Sequence, residues 1–111
     1  MFARITTYEL ENGRASESID VFRPAIDHIR TLDGLIDAYF LVERDGRRAV
    51  SMTLWESLDA MERSRVAGSS ARTEAARAAG AEVTSTVELE VAIRAGGAPA
   101  ETAALAGTRL A

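Results

Sequence analysis

The side chains best suited to chemistry in this 111-residue sequence are a lone histidine, a lone tryptophan and a short row of hydroxyls. His28 carries an imidazole, which can serve as a general base at the mouth of a pocket or stand as a partly exposed surface side chain. One histidine and no cysteine leave no thiolate nucleophile, no disulfide framework and no multi-histidine zinc or iron site within one chain, so no metal is expected. The thirteen basic residues are all arginine, which excludes a lysine Schiff base and lysine-linked pyridoxal chemistry. Trp55 alternates with Thr53 and Ser51. An indole beside small polar side chains leaves room for a flat aromatic ligand to stack, or for its N–H to bond a carbonyl. The competing reading is a wedge that fills the space between sheet and helix. Arg4, Thr6 and Tyr8 share one face of the first predicted strand, where the two hydroxyls can donate to a ligand. Tyr8 and Tyr39 also read as core or interface residues. Glu88 and Glu90, two apart on a strand, form a solvent face or partner arginines rather than a glycosidase pair.

Elements that would position these residues follow from periodicity. Residues 2–10 are rich in β-branched and aromatic types and read as a strand. From Ser16 to Leu32, Ile19, Phe22, Ile26 and Ile29 recur at helical spacing, with Ser16 or Ser18 as cap and Pro24 predicting a kinked or separated first turn. Asp33-Gly34 stops that helix. Leu35–Glu43 and Arg48–Glu56 are strands joined by an Asp45-Gly46 turn, with Ile36, Phe40 and Val42 on one face of the first and Leu35, Tyr39 and Leu41 on the other. In the second strand Val50, Met52 and Leu54 oppose Ala49, Ser51, Thr53 and Trp55. Ser57 caps a second helix that breaks at Gly68-Ser69-Ser70, resumes to Ala79 and closes at Gly80. Residues 82–93 alternate as a last strand with one polar face.

The length fits one domain, since a second core needs about 100 further residues. We assign 1–94 to that domain. Residues 95–111, rich in Ala, Gly, Pro and Thr, read as a flexible or peripherally docked tail with a short helix near Glu101–Ala106, in which Leu105 and Leu110 could dock on a partner. The net charge of −4 argues against nucleic acid. No apolar run suits a membrane span, and Met1-Phe2-Ala3-Arg4 does not open a signal peptide, so a soluble cytoplasmic protein is expected.

The order β-α-β-β-α-β predicts an α+β, ferredoxin-like fold: a four-stranded antiparallel sheet with the helices on one face. The second sheet face then carries too much apolar surface for water, and a second copy of the same sheet is its simplest cover, which predicts a homodimer.

The run Phe2-Ala3-Arg4-Ile5-Thr6-Thr7-Tyr8, the hairpin strand Arg48-Ala49-Val50-Ser51-Met52-Thr53-Leu54-Trp55-Glu56-Ser57 and the following Leu58-Asp59-Ala60-Met61 resemble the antibiotic biosynthesis monooxygenase domain family over roughly residues 2–93. The resemblance implies a dimeric α+β barrel with a pocket in each subunit between its own sheet and helices. It includes cofactor-independent oxygenases of aromatic polyketides and haem-degrading enzymes. Trp55 matches the family's pocket-lining tryptophan. Thr6 stands about where members with known chemistry hold an asparagine on the first strand. Met61–Ala79 contains no histidine, so haem degradation through a second-helix ligand is not expected.

The functional expectation is a cofactor-independent monooxygenase-like protein acting on a flat aromatic, polyketide- or quinone-type molecule. In it Thr6 and Tyr8 donate to the oxyanion, His28 is the candidate base, and Trp55, Thr53, Phe22 and Arg4 contact the substrate. The alternative is a non-catalytic dimer of the same fold that binds a small ligand or serves structure alone. An open cavity beside Trp55 would favour the first reading; one filled by Phe22, Ile26 and Met61 would favour the second.

Overall fold

In a computed structural model the described residues are 1–11 and 13–96. The tail from residue 97, including Glu101–Ala106, Leu105 and Leu110, lies outside them, as does Asn12. The elements are β1 (Phe2–Leu10), a 3-10 turn (Ala15–Ser18), α1 (Ile19–Ile29), β2 (Leu35–Val42), β3 (Arg48–Trp55), α2 (Leu58–Arg63), α3 (Arg65–Ala79) and β4 (Ala81–Glu90). The strands form one antiparallel sheet in the order β2-β3-β1-β4, the ferredoxin-like arrangement expected from the element order.

Strict alternation on β1 and β3 gives the sheet two distinct faces. Register pairs Phe2 with Trp55, Arg4 with Thr53, Thr6 with Ser51 and Tyr8 with Ala49, so these residues share one face. The helices cover it. Tyr8, Leu10 and Ala49 pack with Phe22 and Ala25 of α1 and Ala75 and Ala76 of α3; Trp55 packs with Ile29 of α1 and Ala60 and Met61 of α2. Phe22 stacks on Phe40 at 4.4 Å between centroids and meets the edge of Tyr8 at 4.9 Å. Each such aromatic pair adds about 0.5–1.5 kcal/mol beyond its buried area. The outer face, by contrast, leaves Tyr39, Leu41, Val87 and Leu89 exposed.

Four local expectations are corrected. The helix break falls at Ser64, which ends α2 and begins α3, and Gly68-Ser69-Ser70 continue inside α3. The reason is the Ser64 hydroxyl, which donates back to the Met61 carbonyl at 2.7 Å and competes with continued helix there. The first helix begins with a 3-10 turn, and Ser18 turns its hydroxyl back to the Ala15 carbonyl instead of capping forward. A register shift between Leu35 and Asp37 rotates Leu35 to the helix side, opposite Trp55 and away from Tyr39 and Leu41, and leaves Ile36 exposed, away from Phe40 and Val42, which pack against the core. A second shift between Thr7 and Tyr8 sets Val83 opposite Tyr8 and breaks the alternation of β4, whose ladder ends at Glu90 rather than residue 93. Ser57 does cap α2, accepting from the Ala60 N–H at 3.0 Å, and Gly80 closes α3 in the left-handed region.

Candidate functional site

Seven polar side chains meet between the sheet and the helices. β1 contributes Arg4, Thr6 and Tyr8, β3 contributes Ser51 and Thr53, α3 contributes Arg72, and Ser64 sits at the α2–α3 joint. The Tyr8 hydroxyl and Ser51 Oγ lie 2.9 Å apart, and Trp55 Nε1 donates to Thr53 Oγ1 at 2.9 Å. Thr86 Oγ1 reaches Thr6 Oγ1 at 3.4 Å. Burial raises the Tyr8 phenol above its ordinary value, an effect only partly offset by the Ser51 hydroxyl, the Arg72 charge and the Thr6 hydroxyl. At neutral pH Tyr8 is therefore protonated, a hydrogen-bond donor rather than a base.

Arg4 is the most constrained of the group. Its guanidinium is buried and bonds Glu88 Oε2 at 2.8 Å, Ser64 Oγ at 3.2 Å and the Met61 carbonyl at 2.8 Å. The other carboxylate oxygen of Glu88 accepts from Arg65 at 2.6 Å. Desolvation pushes the Glu88 carboxyl up, but the hydrogen bonds from Arg4 and Arg65, with their charges, outweigh it and hold it below the usual carboxylate value. For Arg72 desolvation prevails: loss of water lowers its guanidinium from the ordinary value, with Tyr8, Arg4 and Glu88 as its electrostatic neighbours.

Of the residues singled out from sequence, Arg4, Thr6, Tyr8, Phe22, Thr53 and Trp55 lie in this helix–sheet layer, all of them buried. His28 does not join them. It is exposed and lines an open cleft of about 550 Å³ between α1 and α3, with Pro24, Ala25, Ala71, Glu74 and Ala75. Ala25 and Ala75 line that cleft and also pack in the core with Tyr8 and Phe22, so a layer of alanines separates the imidazole from the phenol. Trp55 is 1% exposed and Tyr8 0%, and among the described residues no buried side-chain polar atom lacks a partner. In this conformation the layer is closed. No group of three or more potential metal ligands forms among the described residues, and no helix there is long and apolar enough to cross a membrane.

Ser64, Arg72 and Glu88 are members that sequence reasoning did not place in a site. On an Ala-, Glu- and Arg-rich helix an arginine reads as solvated charge. The available signal is the stripe Gly68, Arg72, Ala75, Ala76: small buried residues at helical spacing with one cation among them.

Comparison with known proteins agrees with this architecture. The family model for antibiotic biosynthesis monooxygenase matches residues 1–79. Two uncharacterised proteins of Mycobacterium tuberculosis strain H37Rv are 34% identical over 92 residues and 32% identical over 91; each match takes in 81% of this chain. The chain spans only 39% and 41% of those relatives' length. Among solved structures, SnoaB, a cofactor-independent oxygenase from Streptomyces nogalater, superposes with a TM-score of 0.67 at 19% identity, covering 84% of this chain and 94% of that one. The haem degrader MhuD of Mycobacterium tuberculosis gives 0.67 at 22% identity, covering 86% of this chain and 100% of that one.

Proposed function

From the premise that this chain belongs to the antibiotic biosynthesis monooxygenase family, we propose that it binds a flat aromatic small molecule between its sheet and helices and acts on it as a cofactor-independent oxygenase. The observation that carries this reading is the polar seam. A domain of this size gains most from an apolar interior, yet Arg4, Thr6, Ser51, Thr53 and Ser64 are buried on the helix-facing side beside Tyr8 and Trp55. The Tyr8 and Ser51 hydroxyls bond each other and Thr6 bonds Thr86, and these hydroxyls can be redirected to a ligand oxygen.

The reaction is the oxidation of an electron-rich ring carbon by dioxygen. The substrate loses a proton, its enolate passes electrons to dioxygen, one oxygen atom stays as the new carbonyl and the other leaves as water. Tyr8 and Thr6 donate hydrogen bonds to the enolate oxygen, and Trp55 and Phe22 wall the ring. His28, behind the alanine layer, serves as base only when α1 and α3 part along their cleft.

Two copies pair through the outer sheet face, where Tyr39, Leu41, Val87 and Leu89 are exposed and a second sheet would bury them. The test of function is Tyr8→Phe, assayed for anthrone-to-anthraquinone oxidation with dioxygen consumption followed alongside. Loss of the hydroxyl donor should lower kcat about 10- to 1000-fold with the fold intact. Unchanged turnover would remove Tyr8 from the site, and no turnover by the wild type would leave the oxygenase step unsupported.

A second reading is favoured by one observation, the closed packing around Trp55 and Tyr8. Under it the protein binds a ligand without turnover or serves structure alone. Trp55→Phe separates the two: weaker aromatic binding with a modest loss of stability supports a pocket wall, whereas a stability loss with no ligand affected supports a core wedge.

A further inference from the structure

The charges in the seam do not balance. Gly68 on α3 leaves space for two guanidinium groups: a Cβ there would lie 3.1 Å from Arg72 Nη1 and 3.7 Å from Arg4 Nη1. Arg65 approaches the same carboxylate from the first turn of α3. Glu88 is the acid that answers them, and both of its oxygens are taken, Oε2 by Arg4 and Oε1 by Arg65. Among the described residues Arg72 has neither an ion pair nor a hydrogen bond, although it is half-buried.

A guanidinium drawn partly out of water without an anion is unfavourable, and long arginine side chains ordinarily turn to solvent to avoid it. Arg72 keeps contact with water but lies against Gly68 on the buried stripe of α3, which limits that escape. Its fork presents paired donors at the geometry of a carboxylate.

We infer that the ligand of this site is an aromatic acid whose carboxylate docks on Arg72. This rests on the small-molecule reading above and adds the ligand's charge. Arg4 and Glu88 form the fixed frame and Arg72 the open position, so one carboxylate completes the set.

The test uses two probes of one skeleton, anthraquinone-2-carboxylate and anthraquinone-2-carboxamide, titrated into the full chain at pH 7 and read by quenching of Trp55 fluorescence. The wild type should bind the carboxylate about tenfold tighter than the amide, the scale of one charge-assisted hydrogen bond. Arg72→Gln should abolish that preference by weakening the carboxylate alone, and Arg72→Lys should keep part of it. If Arg72→Gln fails to fold, Arg72→Lys carries the comparison, because a point charge in place of the fork must still reduce the preference. Equal affinity of both probes in the wild type would overturn the inference and leave an aromatic site standing. A preference unchanged in the Arg72 variants would assign the anion to another arginine and overturn it too. Binding of neither probe would refute the small-molecule reading itself, and the inference with it.

Discussion

Replacing Arg4 with leucine should cost about 2–3 kcal/mol of folding stability, and the structure explains why the figure is neither larger nor smaller. Removing one partner from a buried ion pair commonly costs about 3–5 kcal/mol, because an uncompensated charge stays behind. Here the charge left behind is Glu88, whose side chain is 28% exposed and keeps Arg65 at 2.6 Å. Ser64 loses a donor but still donates to the Met61 carbonyl, so that acceptor is not orphaned. Leucine also returns some apolar volume to the layer. What remains is the loss of three hydrogen bonds, one of them charged on both sides. For a domain of this size a loss of about 2–3 kcal/mol lowers Tm by about 8–20 °C. Urea unfolding at pH 7, followed by Trp55 fluorescence, measures it, with Glu88→Gln and the double variant completing a cycle. The two single losses should exceed the double loss by about 1 kcal/mol or more. A single loss below about 1 kcal/mol, or strict additivity, would refute the account of Arg4 as a buried, charge-paired strut.

Two further outcomes follow from the same geometry. Because Glu88 is held below its unfolded value of about 4.3, its stabilisation is present above that pH and disappears as pH falls through the lower folded value, so Tm should drop through this acid window less steeply in Glu88→Gln than in the wild type. On the outer sheet face, wild-type protein at micromolar concentration should sediment at about twice its 11.9 kDa chain mass and Leu41→Glu at the chain mass with its circular dichroism unchanged; a monomeric wild type would refute the paired-sheet proposal.

The parts of this fold that were legible in the sequence are those set by local periodicity. Val50, Met52 and Leu54 against Ala49, Ser51, Thr53 and Trp55 declare a two-faced strand, and the structure keeps that division. Asp45-Gly46, Ser57 and Gly80 mark turn, cap and stop because each does its work within four residues. The features that escaped depend on distant partners. Leu35 changes face because of one irregular step in pairing with β3, and nothing in its neighbours announces that step. Ser64, not Gly68, ends a helix because its hydroxyl turns back on Met61 and receives Arg4 from sixty residues away. The same distance hid the site. Arg4 and Glu88 are 84 residues apart, and Arg72 acquires meaning only once Arg4 is placed with it against Gly68. Thr6, Tyr8, Thr53 and Trp55 were visible as one layer because they lie on adjacent paired strands. The separation of His28 from that layer was not, since it depends on which small residues line the α1–α3 contact.

The joint at Ser64 has a mechanical consequence. Arg4 ties the end of α2 to β1 through Ser64 and Met61, and Met61 in turn packs with Trp55, so one side of the seam is anchored to the sheet. α3 starts at the very next residue and carries Arg72 and Ala75 on the opposite side. α3 is therefore a lever with its fulcrum at Ser64. A rotation about that point would widen the cleft beside α1 and lift Ala75 from the Tyr8 cluster, while Trp55 would keep its contact with Met61. Such a rotation would part the seam between a fixed side that bears the indole and a moving side that bears the guanidinium.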